Sequence, residues 1–345
     1  MSKKTLNNIF FVLGIVMVVV MLFTFDVSYE ELWMHLCHAG WWMIPILGLW
    51  IAIYGLNALS WRCIIMANKK DTEHVGFWRI FKLTITGYAL NYATPVGGLG
   101  GEPYRIMELS KDMDKRAAAS SVILYAMMHI FAHFWFWFTS IFLYLALWIA
   151  GDLPLDGPVI VALVFIVVLS SIAFYLFSYG YRNGLVVRLI RLVGKIPGLK
   201  KWTERLLENH KDSLRNIDEQ IAALHQQDKR AFYSSLLLEY FSRVVQSMEV
   251  MFMLFVCNEG SMASAEAVMM TFLHSILIVS FTTLFANLIG FLPMQLGVQE
   301  GGFLLSIAAM GLNATVGFFV SLICRVREII WILIGIMLMK VNNKE

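Results

Sequence analysis

The run IFFVLGIVMVVVMLFTF at residues 9–25 holds no charged residue, and stretches of this kind recur along the chain. A bilayer core about 30 Å thick takes roughly 20 apolar residues to cross as a helix. Hydrophobic residues make up 59% of the sequence and charged residues 15%, against about 45–50% and about 25% in soluble domains. The chain therefore reads as an all-α polytopic membrane protein. Lys3 and Lys4 precede the first run as in a signal peptide, but DVSYEEL follows it where a small-residue cleavage site would stand. The run is expected to remain as a first span.

Apolar runs place spans at about 9–25, 41–66, 117–150, 157–180, 231–257 and 313–340. Two further stretches, about 76–95 and 265–292, end in proline followed by glycine-rich or polar sequence. Lysine and arginine mark cytoplasmic loops. Segments 26–40, 151–157 and 258–266 contain neither, whereas 67–82, 105–116 and 181–230 are rich in them. In 181–230, eleven basic and six acidic residues leave a charge of +5. Both termini inside and six spans satisfy this bias only if the two broken stretches enter and return on the same side.

The expected architecture is six transmembrane helices plus two re-entrant helical hairpins in an inverted-topology repeat. Residues 1–180 hold the first repeat (two spans, a cytoplasmic hairpin at about 76–112, span 117–150) and the first span of the second, 157–180. Residues 181–230 form a cytoplasmic amphipathic segment. Residues 231–345 complete the second repeat with a span, an outer hairpin at about 265–312, and the last span. In the first hairpin Pro95 precedes Glu102 by seven residues; in the second, Pro293 precedes Glu300 by the same interval. Paired interruptions in the two halves of a membrane protein point to a binding site at the midplane.

Irregular backbone at membrane depth must be shielded by protein or line a wet cavity, so both tips are expected at the protein centre. Gly97, Gly98, Gly100 and Gly101 permit tight turns in the first hairpin, and Pro103 suits the first turn of a returning helix. Glu102 either caps that helix or faces a pathway; a helix N-terminus there also suits an anion. No GxxxxGK[ST] is present, so the glycines are not a nucleotide loop. In the second hairpin Gly297, Gly301 and Gly302 accompany Gln295, Gln299 and Glu300. Acids at both tips suit a cation, hydroxyls or a proton. They suit an anion only if arginines outweigh them or a proton neutralises one.

Arg243 stands mid-span with Glu239 one turn earlier, and Arg325 and Arg327 stand mid-span with Glu328. A mid-membrane arginine costs about 2.5–3.5 kcal/mol on insertion scales, so it faces a cavity or a partner. Pairing of Glu239 with Arg243 and of Arg325 with Glu328 is one reading; recognition of a lipid phosphate is the other. His129 and His133 share a helix face, but HExxH and a third ligand are lacking, so packed or hydrogen-bonded histidines are expected, with no metal. Cys37 and Cys257 leave a disulfide open. Trp41 and Trp42 suit an interfacial belt. In 181–230, Trp202, Leu206, Leu214, Ile217, Ile221 and Leu224 recur at helical spacing among charges, as in a helix lying on the inner leaflet or docking a partner.

These motifs resemble the flippase-like membrane domain of lysylphosphatidylglycerol synthases and its stand-alone relatives. The matching residues are Asn91, Pro95, Gly101, Glu102 and Arg105 in the first hairpin, and Pro293, Gly297, Glu300 and Gly301 in the second. CRVREIIWILIGI at 324–336 resembles the family's arginine-bearing last span. Members often carry a basic residue before the second glutamate, where this chain has Gln299. The resemblance implies translocation of a polar lipid across a bacterial inner membrane, without lipid aminoacylation by these residues alone. The expected headgroup set is Asn91, Thr94, Glu102, Arg105 (near the cytoplasmic mouth), Arg243, Gln295, Gln299, Glu300, Arg325 and Arg327, with Glu239 and Glu328 as supporting charges. Membrane lipids are the expected partners, with a lipid-synthesising enzyme as a further candidate; no cofactor, metal or nucleic acid is called for. A membrane-embedded enzyme on a lipid-linked substrate and an accessory subunit of a lipid-modifying complex stay as alternatives.

Overall fold

The structure, a computed structural model, describes residues 33–34, 37–67, 75–93, 100–183, 200–209, 229–288 and 298–340, with isolated positions between 187 and 219. Among these every regular element is helical. A short 3-10 turn, Gly40–Trp42, leads into α1 (Met43–Ala67). There follow α2 (Phe77–Ala93), α3 (Gly101–Leu109), α4 (Lys115–Ala150), α5 (Gly157–Asn183) and α6 (Lys200–Asn209). The remainder is α7 (Lys229–Val256), α8 (Ala265–Leu288), α9 (Val298–Ala309) and α10 (Thr315–Lys340). The first span, both hairpin tips and most of the expected amphipathic segment lie outside the described residues.

Local chemistry sets several helix ends. Asp114 accepts from the backbone N–H groups of Arg116 and Ala117 and starts α4. Gly151, at φ 86°, ends that helix in a left-handed turn. Asn313 accepts from the Thr315 N–H at the start of α10. Pro103 falls in the first turn of α3, as its missing donor allows.

Four segments are long and apolar enough to cross a membrane: Cys37–Ala67, Lys115–Ala150, Gly157–Ser178 and Ala265–Leu288. α7 and α10 have 28 and 26 residues, but charges at Glu239, Arg243 and Glu249 and at Arg325, Arg327 and Glu328 interrupt their apolar runs. α8, read from sequence as one arm of a hairpin, has 24 residues, or about 36 Å of helix. It therefore has the length of a span, and tilt is what would fit it within a thinner core.

α1 packs along α7; α2 packs on α1, α3 and α10; α8 packs on α7, α9 and α4; α3 meets α4, and α9 meets α10. α5 packs on α4 and turns most of its surface outward. Two ends of the bundle are defined by side chains. At one, Ile64 and Ile65 of α1, Val75 and Ile80, Leu109 and Met113, Ala118, Phe232 and Met339 share a core cluster. At the other, His38 approaches the Val256 carbonyl at 3.2 Å and the Phe319 ring, and Leu147, Leu153, Val159, Met310 and Val316 join the same core. Cys37 and Cys257 are both free thiols.

Candidate functional site: a buried belt of charge

The polar residues of α1, α2, α3, α4, α7, α9 and α10 converge between the two ends. The first group forms around Arg105 on α3, which is 1% exposed. Its Nη1 donates to Glu102 Oε1 at 3.1 Å, and Nε and Nη2 donate to the Leu83 and Thr84 carbonyls of α2. The guanidinium also lies over the rings of Tyr88, Tyr125 and Trp61, 4.9, 5.3 and 5.8 Å from their centroids, a stabilising cation–π arrangement. Arg105 is thus enclosed by protein. Asn91 fixes the start of α3 twice, accepting from the Gly101 N–H at 2.6 Å and donating to Glu102 Oε1 at 3.2 Å. Gly100 precedes the helix without a side-chain cap. Glu102 is held by Asn91 and Arg105 and does not cap the helix.

This closeness depends on two glycines. A Cβ on Gly101 would run into the Gly87 carbonyl oxygen, and a Cβ on Gly87 would run into the Arg105 guanidinium. α2 and α3 meet where neither carries a side chain.

The second group forms on α10. Arg325 donates through Nε and Nη2 to the two oxygens of Glu300 at 3.0 and 3.3 Å, and through Nη1 to Glu328 at 3.1 Å. Gln299 donates to Glu328 at 3.3 Å. Arg327 donates to Glu249 on α7 at 2.8 and 3.4 Å and lies 3.9 Å over the Trp50 ring, whose N–H donates to the same glutamate. Gly302 packs against Thr282 of α8, while Gly301 faces open space.

The third group centres on α7. Glu239, 0% exposed, places Oε2 2.8 Å from His129 Nδ1. Arg243 Nη2 approaches both nitrogens of that ring, at 2.8 and 2.5 Å, and its Nη1 donates to Gln246 at 3.3 Å. His129 therefore stands between Glu239 and Arg243, whose direct pairing was one of two readings of the sequence. Tyr88 Oη is 2.9 Å from His129 Nδ1 and 3.3 Å from the Tyr125 hydroxyl. His133 packs edge-on against His129.

Aromatic rings join the three groups. Trp50, Tyr54 and Tyr88 succeed one another at 5.5 and 5.6 Å, leading from Arg327 to Arg105 and His129. Tyr92, one residue past Asn91, packs against Ile332 and Ile336 of α10. The structure thus brings Asn91, Glu102, Arg105, Glu239, Arg243, Gln299, Glu300, Arg325, Arg327 and Glu328 into one belt. Thr94, Pro95, Gly97, Gly98, Pro293, Gln295 and Gly297 lie outside the described residues.

Arg105, Arg325 and Arg327 each contact a carboxylate, whereas Arg243 has none within ion-pair distance among the described residues. Its Nε is buried without a protein partner, as are Glu239 Oε1, Glu102 Oε2, Asn57 Oδ1 and His133 Nδ1. Ser60 lies near Glu239, but its one hydroxyl proton is within reach of the Ser235 carbonyl and hydroxyl. Each buried orphan costs about 1–3 kcal/mol; those of Arg243, Glu239 and His133, whose side chains meet at the His129 ring, mark a place suited to a polar occupant. No group of three or more His, Cys, Asp or Glu suited to a metal occurs among the described residues.

The family model described as the lysylphosphatidylglycerol synthase TM region matches residues 10–335. The chain belongs to this family. No curated protein and no solved structure matches it. Membership makes the chain a membrane protein related to lipid-modifying proteins, and the matched span includes every residue of the charged belt.

Sequence reasoning missed Glu249, Trp50, Tyr54, Tyr88 and Tyr92 within this family member. Glu249 carried a usable signal, an acid inside the apolar run VVQSMEVMFMLFV, where ionisable residues call for a named partner. Tyr88 and Asn91 also share the face of α2 that meets α3, at helical spacing.

Proposed function

We propose that this protein moves a polar lipid between the leaflets of a bacterial inner membrane, with the phosphate of the headgroup meeting Arg243. The observation that carries this reading is a buried arginine with no carboxylate partner among the described residues, meeting at the His129 ring the unpartnered polar atoms of Glu239 and His133. Arg325 and Arg327 are engaged by Glu300, Glu328 and Glu249, so they serve as walls that fix the helices around the headgroup. Arg105 does the same for the first hairpin. Asn91, Glu102, Gln299 and Glu300, with Thr94 and Gln295 nearer the tips, supply contacts to amines or hydroxyls. The acyl chains stay in lipid while the headgroup crosses the belt.

The topology in this reading is six spans and two re-entrant hairpins, with both termini in the cytoplasm. Two features support it. Val75 and Ile80 share a core cluster with Leu109 and Met113, so both ends of the first hairpin meet the same end of the bundle. Most helix pairs also keep a counterpart when α1–α4 are exchanged for α7–α10: α2 on α10 answers α8 on α4, and α1 on α7 answers itself, while the packing of α4 on α7 has no equivalent of like extent between α10 and α1.

Native mass spectrometry of the detergent-extracted protein tests the site. The wild type should carry an adduct of phospholipid mass, and Arg243→Gln should lose it while keeping its oligomeric state. Extraction of both proteins without lipid adducts would rule the assignment out.

A further inference from the structure

The three-residue relay Glu239–His129–Arg243 is built so that its net charge depends on one proton. An arginine nitrogen only donates and a carboxylate only accepts, while a neutral imidazole does one at each nitrogen. Arg243 Nη2 lies against the His129 ring, 2.5 Å from Nε2 and 2.8 Å from Nδ1, and Glu239 Oε2 lies 2.8 Å from Nδ1. With the hydrogen on Nδ1 the ring donates to Glu239 and stays neutral, and the Arg243 guanidinium rests over its face. In that form a neutral ring links a cation to an anion, and the relay carries no net charge. A further proton has one place to land without opposing Arg243: Glu239 Oε1, which is buried and has no protein partner. With the proton there the relay is left at +1, and Arg243 has no counter-charge.

The neighbours make this charge matter. From α4, His129, His133 and Tyr125 face the relay, and from α2, Tyr88 reaches Nδ1 at 2.9 Å. α1 contributes the uncharged Asn57 and Ser60, with Asn57 donating to Tyr88 at 3.4 Å. Arg243 is the cation at the relay, and from α3 Arg105 lies behind Tyr88 and Tyr125. α8 adds none among the described residues. On α10, Arg325, Arg327 and Glu328 are engaged with Glu300, Glu249 and one another's partners. Across the belt, Glu102, Glu239, Glu249, Glu300 and Glu328 outnumber Arg105, Arg243, Arg325 and Arg327 by one. An anion meets a belt with one surplus negative charge unless a proton removes it.

We propose that the Glu239–His129–Arg243 relay binds one proton together with one phosphate-bearing anion, so that headgroup capture is proton-coupled. The inference rests on the headgroup reading above. Protonation of Glu239 turns Arg243 into an unopposed cation and favours the anion; loss of that proton restores the Arg243–Glu239 balance and releases it. Linkage is reciprocal, so anion binding draws a proton in.

Isothermal titration of the full-length protein in detergent tests this, with two phosphodiesters whose own charge is constant between about pH 5.5 and about pH 8.5. Dioctanoyl phosphatidylglycerol represents a lipid source and glycerophosphoglycerol a soluble one; competition between them tells which the site takes. The wild type should bind the preferred probe about tenfold or more tightly at the acid pH. Buffers of different ionisation heat should show about one proton taken up per ligand. Glu239→Gln, which fixes the relay in its charged form, should bind with acid-form affinity at both pH values and take up no proton. Arg243→Lys should keep the pH dependence, and Arg243→Gln should abolish binding. Binding by the wild type that is equal at both pH values, with no proton uptake, overturns the coupling while leaving the headgroup reading in place. Failure of the wild type to bind either probe at any pH overturns both.

Discussion

Arg327 lies 3.9 Å over the Trp50 ring, with two nitrogens on the Glu249 carboxylate, and Trp50 donates to that same carboxylate. Each charge is held by the other and by an aromatic wall, which is how a guanidinium and a carboxylate stay ionised away from water. Removing one partner leaves the other stranded. Glu249→Gln should therefore lower stability by about 3–5 kcal/mol and depress the apparent Tm in detergent. Glu249→Leu combined with Arg327→Met should recover most of the loss, because removing both charges leaves neither unpaired. An unchanged Tm in the single variant would contradict the pairing. The arginines were legible as interior charges because each interrupts an apolar run. Their partners were not, since Glu249 and Arg327 are 78 residues apart and no local spacing connects them. Glu239 and Arg243 were legible as neighbours on one helix face, but not the imidazole of His129 between them, which arrives from α4.

Helix positions were the most legible feature of the chain. Hydrophobic runs placed α1, α4, α5, α7 and α10 within a few residues of where they occur, because burial in lipid imposes a minimum run length and caps such as Asp114 and Gly151 end the runs sharply. The prolines marked where α2 and α8 end, but not how deep either helix reaches. α8 is 24 residues long and α9 is 12, or about 36 Å and about 18 Å of helix, so the pair is unequal. Length alone allows α8 to cross; the proposed hairpin requires both of its outer ends on one side. Single-cysteine variants in a cysteine-free background decide between these. A membrane-impermeant maleimide applied to intact cells should label both Met262→Cys and Asn313→Cys, and should not reach Lys111→Cys until the membrane is opened. Labelling of Met262→Cys and Asn313→Cys from opposite sides would make α8 a full span and remove the second hairpin.

At the scale of the molecule, the fold encloses nine charged side chains in a belt where three sets of helices meet, with aromatic rings from Trp50 to Tyr88 running through it. A core built only for stability would gain from apolar packing in their place. Their joint presence, with Arg243 lacking a carboxylate and polar atoms of Glu239, His133 and Asn57 lacking partners among the described residues, fits a protein that exchanges internal partners for those of a passing headgroup. Family membership places that belt in a membrane region related to lipid-modifying proteins. The direct test is transbilayer movement in proteoliposomes holding the purified protein and a headgroup-labelled fluorescent phospholipid, with the outer leaflet bleached by dithionite. The wild type should expose more than the roughly half of the label that protein-free vesicles expose, and should do so faster when the vesicles are acidified. Arg243→Gln should return the bleached fraction to the protein-free level. A wild-type fraction indistinguishable from that of protein-free vesicles, whatever the phospholipid headgroup supplied, would contradict lipid translocation as the function of this chain.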